Sequence, residues 1–171
     1  EWATTPLFGR DKELKQLTEA FEGLKSGTSA LIHLDGPSGM GKTHLIQQFK
    51  VLLQGERVLF FNGRCFEHES VPYKSLDGLV DDIARYLMRL SKEEVQALLP
   101  ETIGDLARIF PVLKRVPAIA QRSLGGWGQD REFLTVRRRA FLALKTLLGS
   151  LAKQGPTILY IDDLQWGDVD S

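Results

Sequence analysis

The sequence predicts an α/β fold with a parallel sheet between helices, and three observations predict it. Continuous apolar runs recur at residues 30–34, 58–61 and 157–161. The segments between them carry apolar residues at helical spacing, and glycine or proline punctuates the junctions. Uninterrupted apolar strands alternating with helices mark a parallel sheet covered on both faces. The chain is 171 residues long, which suits one domain with a sizeable core.

Taken in order, Leu14, Leu17, Phe21 and Leu24 predict a helix over 11–25, closed before Gly27. Ala30 to Leu34 is the first strand. A helix over 42–54 follows with Leu45, Ile46, Phe49, Leu52 and Leu53 as its apolar face, and Gly55 ends it. Val58-Leu59-Phe60-Phe61 is a second buried strand. Beyond a polar stretch, 62–72, Leu76, Leu79, Val80, Ile83, Leu87 and Leu90 share one helical face. Ser91 and Glu94 have capping-box spacing, with Leu90 and Val95 placed as a hydrophobic staple. Pro100, Pro111 and Pro117 divide the next stretch into short helical pieces. Gly125 to Gly128 reads as a loop. A long helix then runs over 130–153 on a stripe of Phe133, Ala140, Phe141, Leu144, Leu147, Leu148 and Leu151. Gly155-Pro156 stops it, and residues 157–161 form the third strand. The helical insert between the second and third strands, about 73–153, is long for a minimal sheet of this kind.

Lys plus Arg and Asp plus Glu both number 22, so no global field favours nucleic acid or an anionic membrane. The run Arg137-Arg138-Arg139 reads as a solvated helix face, and direct nucleic-acid binding by this segment is not expected. Arg137 falls in phase with the apolar stripe, where it snorkels, pairs with a buried acid or faces a neighbouring subunit, in that order of preference. The single cysteine, Cys65, excludes an internal disulfide and fits a reducing, cytoplasmic compartment. No apolar run approaches the ~20 residues of a membrane helix, so no membrane partner is expected. The chain starts at Glu1 and stops at Ser171, and both ends read as cut from something longer. His33 alternates into the first strand and reads as a core histidine. Cys65 and His68 have no partners at metal spacing.

Residues 36–43 read Gly36-Pro37-Ser38-Gly39-Met40-Gly41-Lys42-Thr43, a complete G-x-x-x-x-G-K-[ST] phosphate-binding loop between an expected strand and an expected helix. Glycines let the backbone curl so that several N–H groups point at the α- and β-phosphates of a nucleoside triphosphate, and the helix N-terminus adds positive potential. Pro37, Ser38, Gly39, Met40, Gly41, Lys42, Thr43 and His44 are the phosphate-binding candidates. Lys42 reaches the β- and γ-phosphates and is a catalytic candidate, and the Thr43 hydroxyl binds Mg²⁺. The expected architecture is a three-layer α/β/α nucleotide-binding fold of the P-loop class, C-terminally truncated.

The third strand ends in Asp162-Asp163, where carboxylates meet ligands in open α/β sheets. Asp162 is placed to hold Mg²⁺ through a water, and Asp163 to orient or deprotonate the water attacking the γ-phosphate. Strand geometry is expected to end here, so that both acids face the loop.

Residues 157–171 resemble the hhhhDD-x-x-W-x-D-x-x-S signature of AAA-related, STAND-type bacterial signal-transduction ATPases. Leu7-Phe8-Gly9-Arg10-Asp11-Lys12-Glu13-Leu14 is similar to the opening hhGR[ED]-x-E-L element of the same group. Gly63 to Glu67 and Val71-Pro72-Tyr73 resemble the version fused to Ser/Thr protein kinases and large transcriptional regulators. The resemblance implies ATP as the nucleotide, ADP as product, and Phe8, Gly9 and Arg10 beside the adenine and ribose. It further implies a switch that joins a sensor or helical-repeat array to an effector, such as a Ser/Thr kinase or DNA-binding domain, and it leaves self-association open. Trp166 is expected to pack the end of the third strand, and Asp168 and Ser171 to cap a following helix. The family's γ-phosphate sensor strand and arginine finger are absent from the sequence, so the fragment alone is expected to hydrolyse ATP poorly. Asp163 in place of the glutamate of motor-type relatives suits slow turnover. Two other readings compete. An origin-recognition-like, DNA-associated ATPase shares the Gly-Arg-acid opening, and a small-molecule kinase shares the phosphate loop but usually lacks the Trp-x-Asp extension.

Overall fold

The computed structural model describes residues 9–65, 74–124 and 133–164. The chain divides into two compact units, residues 1–58 and 59–171.

The first unit is built on two helices, α1 (Asp11–Lys25) and α2 (Lys42–Leu52). Asp11 and Glu13 in the first turn of α1 and Lys25 in its last turn complement the helix dipole. Leu17 and Phe21 from α1 are buried, as are Leu45, Ile46 and Phe49 from α2 and the following Leu53. Phe21 and Phe49 meet edge to face, 6.4 Å between ring centroids, which adds to the area they bury. The Lys25 ammonium lies 5.0 Å over the Phe21 ring and pairs with Glu22 and with Glu56, at 3.0 and 3.2 Å. Those two carboxylates push its pKa up, and the Glu56 contact ties the end of α1 to the turn after α2.

Residues 30–34 do not form the expected first strand. Leu31 is fully exposed, and Ile32 is 46% exposed. His33, expected in the core, is exposed as well. An apolar run supplies the side chains of a buried strand, but a strand exists only through a ladder with a neighbour, and among the described residues this run has none.

The second unit contains the sheet, which among the described residues has two strands rather than three. β1 (Leu59–Arg64) and β2 (Thr157–Asp162) run parallel, with Leu59 opposite Thr157 and Arg64 opposite Asp162. β1 extends three residues past the apolar run that announced it. Helix α3 (Lys74–Leu87) packs on β1. The approach is close where Gly78 crosses the strand: a Cβ there would sit 3.5 Å from the Gly63 Cα and from the Arg64 nitrogen. The carboxylate of Asp82, one turn further along α3, accepts hydrogen bonds from the Asn62 backbone N–H at 2.8 Å and from its side-chain amide at 3.1 Å.

Between α3 and β2 lie α4 (Lys92–Leu98), α5 (Ile103–Ile109), a 3₁₀ turn (Pro111–Arg115), α6 (Pro117–Leu124) and α7 (Phe133–Ala152). Both bonds of the capping box form at α4: the Glu94 N–H donates to Ser91 Oγ at 3.2 Å, and the Ser91 N–H donates to Glu94 Oε2 at 2.8 Å. Val95 is buried and Leu90 packs on the same core. The prolines separate the short helices as expected. Ile83, Leu87, Ile103, Leu106, Phe110, Leu113, Ile119 and Leu147 are fully buried in one cluster that also takes in Phe61 of β1. The helical insert is therefore the core of this unit rather than an appendage to the sheet. On α7 the fully buried positions are Ala140, Ala143, Leu147 and Leu151, with Phe141 and Leu148 partly buried. Arg139, beside the stripe, donates from Nε to the buried Asp105 of α5 at 2.8 Å. No described helix is long and apolar enough to cross a membrane.

Candidate functional site

The phosphate loop lies in the first unit. Asp35 opens it by accepting from the Gly36 N–H at 2.8 Å, and the Met40 N–H turns back toward the Pro37 carbonyl at 3.4 Å. Gly39 and Gly41 adopt φ values of 82° and 81°, a region that side-chain-bearing residues rarely enter. A Cβ at either would meet nothing within 4 Å, so backbone conformation rather than crowding calls for glycine here. Gly41 is the N-cap of α2, and its carbonyl accepts the first helical bond, from Leu45, at 2.9 Å.

Lys42 folds back across the loop. Its ammonium donates to the Gly36 carbonyl at 2.6 Å and to the Pro37 carbonyl at 3.1 Å. Thr43 is exposed on the first turn of α2. His44 points along that helix toward Gln48, 3.5 Å away. Pro37, Ser38 and Met40 are exposed.

Arg10, expected beside the base, makes two contacts inside this unit. Nη1 pairs with Glu13 at 2.8 Å, and Nη2 donates to the Met40 carbonyl of the loop at 3.1 Å. The guanidinium holds the Glu13 carboxyl below its usual range. Gly9 has a φ of 69°. Phe8 lies outside the described residues, as do His68, Trp166, Asp168 and Ser171.

The paired acids lie in the second unit. Asp162 is the last residue of β2, and its carbonyl accepts from the Cys65 N–H at 3.0 Å. At Asp163 the chain leaves strand geometry with a φ of 56°, a left-handed conformation that aspartate tolerates better than most residues. Its N–H donates to Asp162 Oδ1 at 3.1 Å. The strand thus ends between the two acids, as the sequence suggested.

Arg64 is the residue that sequence reasoning passed over. Its Nε and Nη2 both donate to Asp163 Oδ2, at 3.1 and 3.0 Å. No local signal marked it: the apolar run of β1 stops three residues earlier, and only the register sets Arg64 opposite Asp162.

Within the first unit, the loop and its lysine fit the phosphates of a nucleotide. The ammonium of Lys42 already sits at the loop carbonyls, in the reach of an anion cradled there. No group of three or more His, Cys, Asp or Glu side chains gathers as a metal cage among the described residues. An Mg²⁺ carried on substrate phosphates needs only one or two protein oxygens, and the Thr43 hydroxyl at the start of α2 can supply one.

Residues 6–171 match the sequence pattern of the AAA ATPase domain, and the chain belongs to that family. It is an α/β nucleotide-binding ATPase module. It is 24% identical over 178 residues to the hybrid signal transduction histidine kinase G of Dictyostelium discoideum, a match that covers 99% of this chain and 5% of that protein. It is 20% identical over 186 residues to an uncharacterised protein of Rhizobium meliloti (strain 1021), covering 97% of this chain and 16% of that protein. The chain therefore spans only a small part of the curated relatives it matches. No solved structure matches it significantly.

Proposed function

We propose that residues 1–171 act as one ATP-binding, slowly hydrolysing switch within a multidomain signalling protein. The observation that carries this reading is the phosphate loop, with left-handed glycines at 39 and 41 and the Lys42 ammonium held at the Gly36 and Pro37 carbonyls. Membership of the AAA ATPase family supports it, and the name of the Dictyostelium relative supports a signalling context. The resemblance to STAND-type modules supports a switch rather than a motor, with a kinase or DNA-binding effector and helical repeats elsewhere in a longer cytoplasmic chain.

In this reading the loop amides bind the α- and β-phosphates, and Lys42 exchanges its loop carbonyls for β- and γ-phosphate oxygens. Thr43 and Asp162 are the residues that would hold Mg²⁺, which would offset negative charge on the phosphate oxygens. Asp163 orients the attacking water, and ADP and phosphate leave. The short Asp163 side chain, paired with Arg64, suits slow turnover.

The test is Lys42→Ala in the full-length protein, titrated with Mg·ATP by calorimetry. Loss of charge-assisted hydrogen bonds to phosphate predicts an affinity fall of about ten- to a hundredfold, with an unchanged far-ultraviolet circular dichroism spectrum. An affinity equal to that of the unaltered protein rejects the nucleotide site.

A further inference from the structure

The Met40–Gly41 peptide is bounded on one side by glycine, and a second glycine, Gly39, precedes Met40. Gly39 and Gly41 both have φ near 82°, and glycine enters that region about as readily as its mirror image. A Cβ at either would meet nothing within 4 Å, so crowding does not confine these two residues. A plane with glycine on one side is freer to turn than one between two side-chain-bearing residues, so a contact from outside the loop can fix it. Arg10 makes that contact. Nη2 grips the Met40 carbonyl at 3.1 Å, while Nη1 is fixed by Glu13 at 2.8 Å. The guanidinium is a rigid planar fork, so anchoring one arm on α1 aims the other.

The peptide is trans, as are all those described. With the Met40 carbonyl turned toward Arg10, the Gly41 N–H points to the opposite side. From this geometry we infer that Arg10 is a positioning residue for the phosphate loop: it presents the Gly41 N–H to a polyphosphate, and it acts on phosphate binding rather than on the base. The inference rests on the nucleotide-binding reading above and differs from the base-side role that the sequence resemblance implies for Arg10. It also gives Glu13 a part, since Glu13 steadies the fork.

Inorganic tripolyphosphate, which has no base or ribose, separates the two roles. It and Mg·ATP are titrated into the full-length protein and into Arg10→Ala, Arg10→Lys, Glu13→Gln and Lys42→Ala variants, with melting temperature recorded for each. Arg10→Ala is expected to weaken both ligands by the same factor, about tenfold for one charge-assisted hydrogen bond. Arg10→Lys, which keeps the charge and a donor, restores part of the loss. Glu13→Gln weakens both ligands by a smaller factor at an unchanged melting temperature, and it carries the test with Arg10→Lys if Arg10→Ala does not fold. A fall in ATP affinity with tripolyphosphate unaffected would place Arg10 on the base and overturn the inference. Tighter binding in Glu13→Gln also overturns it, because that is the result expected if Arg10 touches phosphate directly and Glu13 merely repels it. If Lys42→Ala loses tripolyphosphate while Arg10→Ala keeps it, the brace alone is rejected. If Lys42→Ala keeps it, the nucleotide site falls first.

Discussion

At the scale of single residues, the forked contact of Arg64 on Asp163 Oδ2 bears on the proposal that Asp163 orients the water attacking a bound nucleotide. An acid that orients water must share its oxygens with that water, and here one oxygen already takes two guanidinium donors. Asp163→Asn is expected to lower the hydrolysis rate by about a hundredfold, the usual worth of a positioned acid or base, while ATP affinity holds. Arg64→Ala removes a restraint that is 60% exposed on the arginine side. Exposed ion pairs are worth up to about 1 kcal/mol, so turnover should rise by no more than about fivefold. Phosphate-release assays on the full-length protein check both, and a fall in Arg64→Ala would mean that the arginine orients the acid rather than restraining it. The place where β2 ends was legible because the apolar run stops at Ile161, just before the two aspartates. Arg64 was not, because the partner of a strand tip depends on register, and nothing local in a sequence records which strand lies alongside.

At the scale of elements, the start of α4 shows local chemistry deciding a boundary. Ser91→Ala removes the oxygen that accepts the Glu94 N–H, and it should cost about 1 kcal/mol in urea unfolding. The reciprocal bond makes this cap sensitive to pH. The Ser91 backbone N–H, and then its hydroxyl, hold the Glu94 carboxyl below the usual carboxylate range. A carboxyl depressed in the folded state stabilises fully above its unfolded pKa, and the contribution is lost as pH falls through the folded value. Stability measured from pH 6 down to pH 3 should therefore drop less in Glu94→Gln than in the unaltered chain through this group. Caps and proline breaks could be read directly, since each depends on residues within a few positions. The run at 30–34 could not: its composition is that of a buried strand, yet Leu31 is fully exposed, because pairing is a long-range property. Arg139 makes the same point within one basic run. The run was expected to be a solvated face, yet Arg139 pairs with the buried Asp105 at 2.8 Å, because the facing helix α5 sets a carboxylate against that turn of α7.

For the molecule as a whole, the apolar core is concentrated in the second unit, among helices that read from sequence as an insertion. Helical periodicity revealed each of those helices, but not that they converge on one cluster larger than the sheet's own contribution. Leu106 is 0% exposed, and Leu106→Ala should destabilise this unit by about 2–5 kcal/mol. Leu142 on α7 is 57% exposed, and its replacement by alanine should stay within about 0.5 kcal/mol. Thermal and urea unfolding of the two variants check the contrast. The Asp82 carboxylate at Asn62 has a consequence for growth of the sheet. An incoming strand beside β1 would need the very amide hydrogen that Asp82 already holds, and it would have to displace a charged group to reach it. One border of the sheet is thereby closed to recruits by a helix of its own chain, which leaves the flank along β2 as the side on which further backbone can be added and guards the other against chance pairing with a stranger.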